Sequence, residues 1–266
     1  MRSDCHVHVR AECDARMVLA EMDRLKIDKV GLLGRGGAST PAQQRTSDDE
    51  LSKMCSAARK RLLGFARIDP RLGGITDEIK RCREDLALAA IKMLPDHWAP
   101  CDDFMWPVYE TIESMGMPIL FHSGILWGNA DSSRFCRPAL YESVIHFPKL
   151  KIALAHIGWP WTDECIAVAN RFVELARREN RKNPQVFIDC TPGTPRVYRK
   201  DAFRKALACC GAAVMLYGSD RSVPGDLSPS AERMESDAGL LHELGCTADE
   251  IDMVLGGNID KLFEAD

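Results

Sequence analysis

The 266 residues, with 45% hydrophobic and 28% charged side chains, have the make-up of an ordinary soluble globule able to bury roughly 70–75% of its unfolded surface. A net charge of −4 offers no basic face to a phosphate backbone, which argues against nucleic acid as a partner, and no apolar run approaches the roughly 18 residues of a membrane span. Eleven cysteines without a C-x-x-C pair or a signal peptide point to reduced thiols and a cytoplasmic chain, not to a disulfide framework.

In chain order, Ser3–Val9 reads as a first strand and Ala15–Leu25 as the helix after it. Lys29–Leu33 and helix Asp49–Arg59 follow, then Leu62–Ile68 with helix Ile75–Ala87, and Ala89–Leu94 with helix Phe104–Met115. Pro118–His122 is a fifth strand. Lys151–His156 precedes helix Thr162–Arg177, Gln185–Asp189 precedes Arg199–Cys209, and Ala213–Tyr217 precedes Ala231–Leu244.

Strands about thirty residues apart with helices between them imply a parallel sheet. Eight such units match an α/β fold of the (β/α)8 TIM-barrel type as a single domain over residues 1–266. An open doubly wound sheet is disfavoured, because no G-x-G-x-x-G follows the first strand. Gly34-Arg35-Gly36-Gly37, after the second strand, reads as a flexible loop.

Of seven histidines, His6, His8, His122 and His156 fall at the C-terminal ends of expected strands, and Asp220 lies just beyond the last one. In a barrel those ends converge over one mouth, where active sites are built. The i, i+2 spacing of His6 and His8 puts both imidazoles on one face of a strand, turned to the barrel interior. Two neutral imidazoles side by side there call for a cation, and a borderline metal accepts imidazole nitrogen and carboxylate oxygen together. Asp4 continues that face one layer deeper, where hydrogen bonding and not ligation is expected.

The segments Asp4-Cys-His-Val-His8, Pro118-Ile-Leu-Phe-His122-Ser-Gly, Lys151-Ile-Ala-Leu-Ala-His156-Ile-Gly and Gly218-Ser-Asp220 resemble the amidohydrolase superfamily over essentially the whole chain. With Ile91-Lys-Met-Leu-Pro95, Trp106-Pro-Val-Tyr109 and Leu255-Gly-Gly-Asn258, the resemblance narrows to the branch that includes aminocarboxymuconate-semialdehyde decarboxylase and related metal-dependent hydrolases. It implies that His6, His8, His122 and Asp220 bind one divalent ion, and that His156 is a catalytic acid–base or polarising group outside the ligand set. Zn2+ is the favoured ion, with Mn2+, Fe2+ or Ni2+ as substitutes.

That ligand set leaves room for a water made nucleophilic near neutral pH. Asp220 then serves as catalytic proton acceptor and His156 steadies a developing oxyanion, giving hydrolysis of a lactone, ester or amide. Non-oxidative decarboxylation of a small unsaturated or aromatic acid is the alternative. The short link Arg10–Cys13 after the first strand disfavours it, because many aromatic-acid decarboxylases carry a long insertion there.

Lys92 reads as an ammonium that meets an anionic group of a small-molecule substrate, the single-metal pattern arguing against a metal-bridging carbamate. Trp127 and Trp159 are candidate apolar walls and Arg196 a candidate carboxylate binder. A homodimer through the outer helices is expected from the frequency of two-fold oligomers.

Overall fold

The structure, a computed structural model, describes residues 1–128 and 130–264. Among these, nine strands form one parallel sheet: β1 Ser3–Val9, β2 Lys29–Leu33, β3 Leu62–Arg67, β4 Ala90–Met93, β5 Ile119–Phe121, β6 Ile152–Leu154, β7 Val186–Asp189, β8 Met215–Leu216 and β9 Arg221–Val223. The helices are α1 Ala15–Leu25, α2 Pro41–Cys55, α3 Ile75–Glu84, α4 Trp106–Ser114, α5 Ser132–Phe135, α6 Thr162–Arg178, α7 Arg196–Cys210, α8 Ser228–Glu243, α9 Ala248–Asp252 and α10 Asn258–Phe263.

The central strands β4 to β7 are buried along their whole length, which is why they read as unbroken apolar runs with few polar interruptions. Neighbours follow chain order, and the last part of the circle is closed by a divided strand. β8 pairs with β7 through Asp189 and Leu216, whereas β9 pairs with β1 through His8 and Ser222. Between them the chain leaves the ladder: Ser219 N–H donates to Asp4 Oδ1 at 3.0 Å, and Asp220 takes a left-handed φ of 57°. The single strand expected at Ala213–Tyr217 is therefore shorter, and the interruption sets Asp220 at the barrel mouth. At the other end, Asn258 Nδ2 donates to the carbonyls of Ala212 and Met215, each at 2.8 Å, and so pins the start of β8.

The start of α2 departs furthest from its expected place, for a local reason. α2 begins at Pro41, well before Asp49, because Thr40 Oγ1 accepts the Gln43 N–H at 3.3 Å and proline suits the first helical position. Between β5 and β6 the chain forms a short α5 and a 3-10 segment over Pro138–His146. No helix among the described residues is long and apolar enough to cross a membrane.

Outside the mouth, Asp48 of α2 is wholly buried beside Glu78 and Cys82 of α3, their donor atoms lying within 4.8 Å of one another. Burial pushes the Asp48 carboxyl up to about 7; the Gln44 amide bond opposes this and the Glu78 carboxylate adds to it. The folded chain thus keeps a proton that the unfolded chain releases near 3.8, so stability falls as pH rises from about 4 to about 7. Asp48→Asn, which imitates the protonated carboxyl, is expected to raise Tm by roughly 3–8 °C at pH 8 and to change it little at pH 4. Calorimetry at the two pH values checks this, and an equal shift at both would contradict it.

Candidate active site

β1 delivers its two histidines to the mouth, and each is held differently. His6 Nδ1 lies 2.6 Å from Asp189 Oδ2 at the end of β7, both side chains being within 1% of full burial. A carboxylate accepts, so Nδ1 carries the proton and Nε2 presents its lone pair to the cavity. His6 Nε2 is 3.6 Å and His8 Nε2 is 2.9 Å from the same oxygen, Asp220 Oδ1. His6, His8 and Asp220 thereby offer donor atoms that all fall within 4.8 Å of one another.

Asp4 stands beneath this group, as its place one layer deeper requires. Its Oδ1 accepts the backbone N–H of His6 and of Ser219, and its Oδ2 accepts the Ser230 hydroxyl at 2.7 Å. It ties the β1 histidines to the turn that carries Asp220. Burial pushes its carboxyl up to about 6, against these hydrogen bonds.

His156 sits just past β6 on a turn in which it, Ile157 and Gly158 all have positive φ, of 61°, 51° and 64°. Two bulky residues in the left-handed region are strained, and the surroundings hold them there. Thr191 Oγ1 accepts the His156 N–H at 3.1 Å, and Thr194 Oγ1 donates to the His156 carbonyl at 2.6 Å. Thr191 Oγ1 also lies 2.8 Å from His156 Nδ1; with its hydroxyl proton given to Nδ1, the ring presents Nε2–H to the cavity. The loop after β7 passes directly over the imidazole, and a Cβ at Gly193 would come within 2.4 Å of His156 Cγ, so only glycine fits.

One cavity of about 210 Å3 gathers His6, His8, Lys92, His122, Trp127, His156, Trp159 and Asp220. His122 stands outside the close group of three: its Nε2 is 3.2 Å from the Ile125 carbonyl, and its ring is centred 5.0 Å from that of His156. Trp127 is 82% exposed and stacks on Trp159 at 6.4 Å, forming a rim and not a closed wall. Arg196 is not brought to this cavity; it is exposed at the first turn of α7. Its place is taken by Arg67 and Arg10, which line the cavity and were passed over in the sequence, as was Asp189. Asp189 ends an expected strand and Arg67 is the last residue but one of another, the same mouth-side signal that marked the histidines.

Lys92 Nζ is buried without a hydrogen-bond partner, which excludes a structural ion pair at bonding distance among the described residues. Burial pushes its ammonium down to about 8, opposed by Asp189 and reinforced by Arg67, so it stays charged at neutral pH. Burial holds the imidazoles of His6, His8, His122 and His156 below their ordinary value, in the neutral form. Burial works against the Asp220 carboxylate, but the hydrogen bond from His8 and the neighbouring His6 and His156 rings outweigh it and keep Asp220 ionised.

These donors fit a divalent cation. Two neutral imidazoles and an ionised carboxylate meet within 4.8 Å, and Asp189 fixes the tautomer of the most buried one, the arrangement seen behind metal-bound histidines generally.

A family model described as amidohydrolase matches residues 3–265. A dihydroorotase from Serratia proteamaculans (strain 568) is 29% identical over 153 residues, covering 51% of this chain and 41% of its own length, so the chain spans well under two thirds of that relative. Among solved structures, a dihydroxybenzoic acid decarboxylase from Polaromonas sp. JS666, with bound manganese and 2-nitroresorcinol, superposes with a TM-score of 0.69 at 15% identity, over 98% of this chain and 96% of that one. A probable 2-pyrone-4,6-dicarboxylic acid hydrolase from Acinetobacter baumannii gives 0.69 at 13% identity, over 98% of each chain. A 5-carboxyvanillate decarboxylase from Sphingomonas paucimobilis gives 0.64 at 19% identity, over 93% and 82%. At these identities the structures share the barrel and nothing finer. A family match that runs from the first strand to beyond the last helix, over a barrel whose mouth holds these histidines and this aspartate, places the chain in the amidohydrolase family.

Proposed function

We propose that this chain is a metal-dependent hydrolase of small anionic substrates, acting on a lactone, ester or amide bond. The observation that carries the reading is the donor group of His6, His8 and Asp220 beside a neutral His156 and an unpartnered Lys92 ammonium. These three residues, with His122 as the fourth, would hold one divalent ion, Zn2+ or Mn2+. When bound, such an ion supplies Lewis acidity, polarising a carbonyl oxygen and making a water acidic enough to attack it near neutral pH.

The protein's own groups do the rest. Lys92 binds the substrate's anionic group, whose charge its unpartnered ammonium offsets. Asp220, kept ionised, accepts the proton of the attacking water and passes it to the leaving oxygen or nitrogen. His156, oriented by Thr191 and pressed in place by the Gly193 loop, donates its Nε2–H to the oxygen on which charge develops. Trp127 and Trp159 give the mouth an apolar rim against which the substrate's ring or chain can rest.

A second reading keeps every residue and changes the bond. The Polaromonas and Sphingomonas structures are of decarboxylases, and in this reading the His156 Nε2–H would supply the proton to a carbon losing CO2. The deciding experiment is metal analysis of protein purified without added metal, followed by assay against lactones, amides and aromatic acids with CO2 measured separately. About one divalent ion per chain and ring opening without CO2 are expected. CO2 release without hydrolysis would transfer the assignment to the decarboxylase, and two ions with a carbamate on Lys92 would overturn the single-metal site.

A further inference from the structure

A surface helix is normally fixed by an apolar stripe laid against the core. In α2 that stripe belongs to the second half of the helix, where Leu51, Met54 and Cys55 are buried. The buried residues of the first half are Gln44, Ser47 and Asp48, all polar. Apolar burial therefore does little to hold residues 41–50 down, and polar contacts must do it. On the α3 side those contacts are incomplete. Glu78 is taken by two cations, Arg81 Nη2 donating to its Oε1 at 2.6 Å and Arg45 Nε lying 3.3 Å from its Oε2, and Arg81 also reaches Asp49 at 2.7 Å. Asp48 Oδ2 accepts from Gln44 Nε2 at 2.9 Å, but Asp48 Oδ1 and Gln44 Oε1 are buried with no hydrogen-bond partner among the described residues. An acceptor buried without a donor costs free energy that contact with water returns, so opening this seam relieves what closing it imposes.

The other side of the half-helix is loosely packed. A cavity of about 780 Å3 lies between α2 and the link from β1 to α1, and one of about 350 Å3 between α2 and the loop after β2. That loop ties the half-helix to the mouth. Ser47 Oγ donates to the Arg35 carbonyl at 3.2 Å and Arg35 pairs with Glu50, so loop and half-helix are joined at two points. The loop rests on Arg67 so closely that a Cβ on Gly36 would sit 2.2 Å from Arg67 Cζ, and Arg67 lines the cavity that holds His6, His8 and Asp220. Gly37, with a φ of 90° and open space where a Cβ would be, gives the loop a point of free rotation.

We infer that residues 34–50, the loop after β2 with the first half of α2, form a gate that turns about the glycine run at 34–37 and about the polar-to-apolar boundary of α2, lifting Gly36 off Arg67. Local opening of this kind draws on segments with few buried apolar contacts, and lids that admit substrate are built from them. The gate has work to do here, because the catalytic cavity of about 210 Å3 is smaller than the roughly 300–1,000 Å3 usual for a ligand pocket. It operates in the same way whether the bond cleaved is a C–O, C–N or C–C bond.

Hydrogen exchange of the purified protein at pH 8, read by mass spectrometry, tests the inference. The amides of residues 45–49, past the first turn where helix ends fray, are expected to exchange at least about 100-fold faster than those of residues 52–55. Asp48→Asn brings N–H donors to the unsatisfied seam and removes a charge beside Glu78; it is expected to slow exchange of 45–49 at least about tenfold and to leave 52–55 within about twofold. Ser47→Ala frees the Arg35 carbonyl and is expected to speed exchange of 45–49 about threefold to tenfold. Phenylglyoxal labelling of Arg67 in the same samples reports the mouth, with a rate expected to fall at least about threefold in Asp48→Asn and to rise in Ser47→Ala. Equal protection along the whole of α2, or exchange that neither variant alters, would overturn the gate. Arg67 labelling that ignores both variants while exchange responds would overturn its connection to the mouth.

Discussion

His156→Asn is expected to keep its metal and to lose about 10²–10⁴ in turnover, while His8→Ala is expected to lose the metal itself. The two histidines share a cavity but not a task. His8 Nε2 points at Asp220 Oδ1, inside the group of donors, whereas His156 Nδ1 is occupied by Thr191 and only its Nε2–H is free for substrate. Asparagine is the informative replacement because it tolerates the left-handed φ of 61° that position 156 demands and can still accept from the Thr191 hydroxyl. The turn should therefore survive, and the loss should report the missing donor. Metal analysis and single-turnover rates on both variants separate the roles. A metal-free His156→Asn would make His156 a ligand, and a fully active one would remove it from the chemistry.

Asp189→Asn is expected to weaken metal affinity about 10- to 100-fold without removing any donor of the close group. The carboxylate sits 2.6 Å from His6 Nδ1, fixes the proton there, and enriches the electron density at Nε2. An asparagine carbonyl can accept the same hydrogen bond but brings no charge. Burial holds the Asp189 carboxyl up at about 6, with His156 and Lys92 opposing the rise, so the native group is charged above that pH and the variant's deficit should be greatest there. Chelator competition at pH 7.5 measures it. If the variant loses thermal stability but binds metal as the native protein does, Asp189 is a structural group only.

The eight-fold alternation, and with it the barrel, was legible in the sequence because parallel strands buried on both faces show as short apolar runs that loops and helices cannot imitate at that spacing. His6, His8, His122, His156 and Asp220 were legible as residues of one mouth for the same reason: each lies near or just beyond the C-terminal end of a strand, and those ends converge by topology alone. The start of α2 at Thr40-Pro41 was written in the chain too, as a capping hydroxyl and an N1 proline, but it lies in a polar stretch where apolar periodicity is silent.

Other features exist only once the circle closes. The split between β8 and β9 depends on Asp4 capturing the Ser219 N–H, a bond between residues more than two hundred positions apart. The pairing of Asp189 with His6 joins β7 to β1 across the barrel interior, and neither residue's neighbours announce the other. Arg196 and Arg67 illustrate the same limit from both sides. Proximity to a strand end in sequence favoured Arg196, but the first turn of α7 carries it away from the mouth, while the β3–β4 register sets Arg67 beside Lys92. A side chain's place at a strand end is local information, set by periodicity; which charges it faces is decided by register and loop path, which only the folded chain determines.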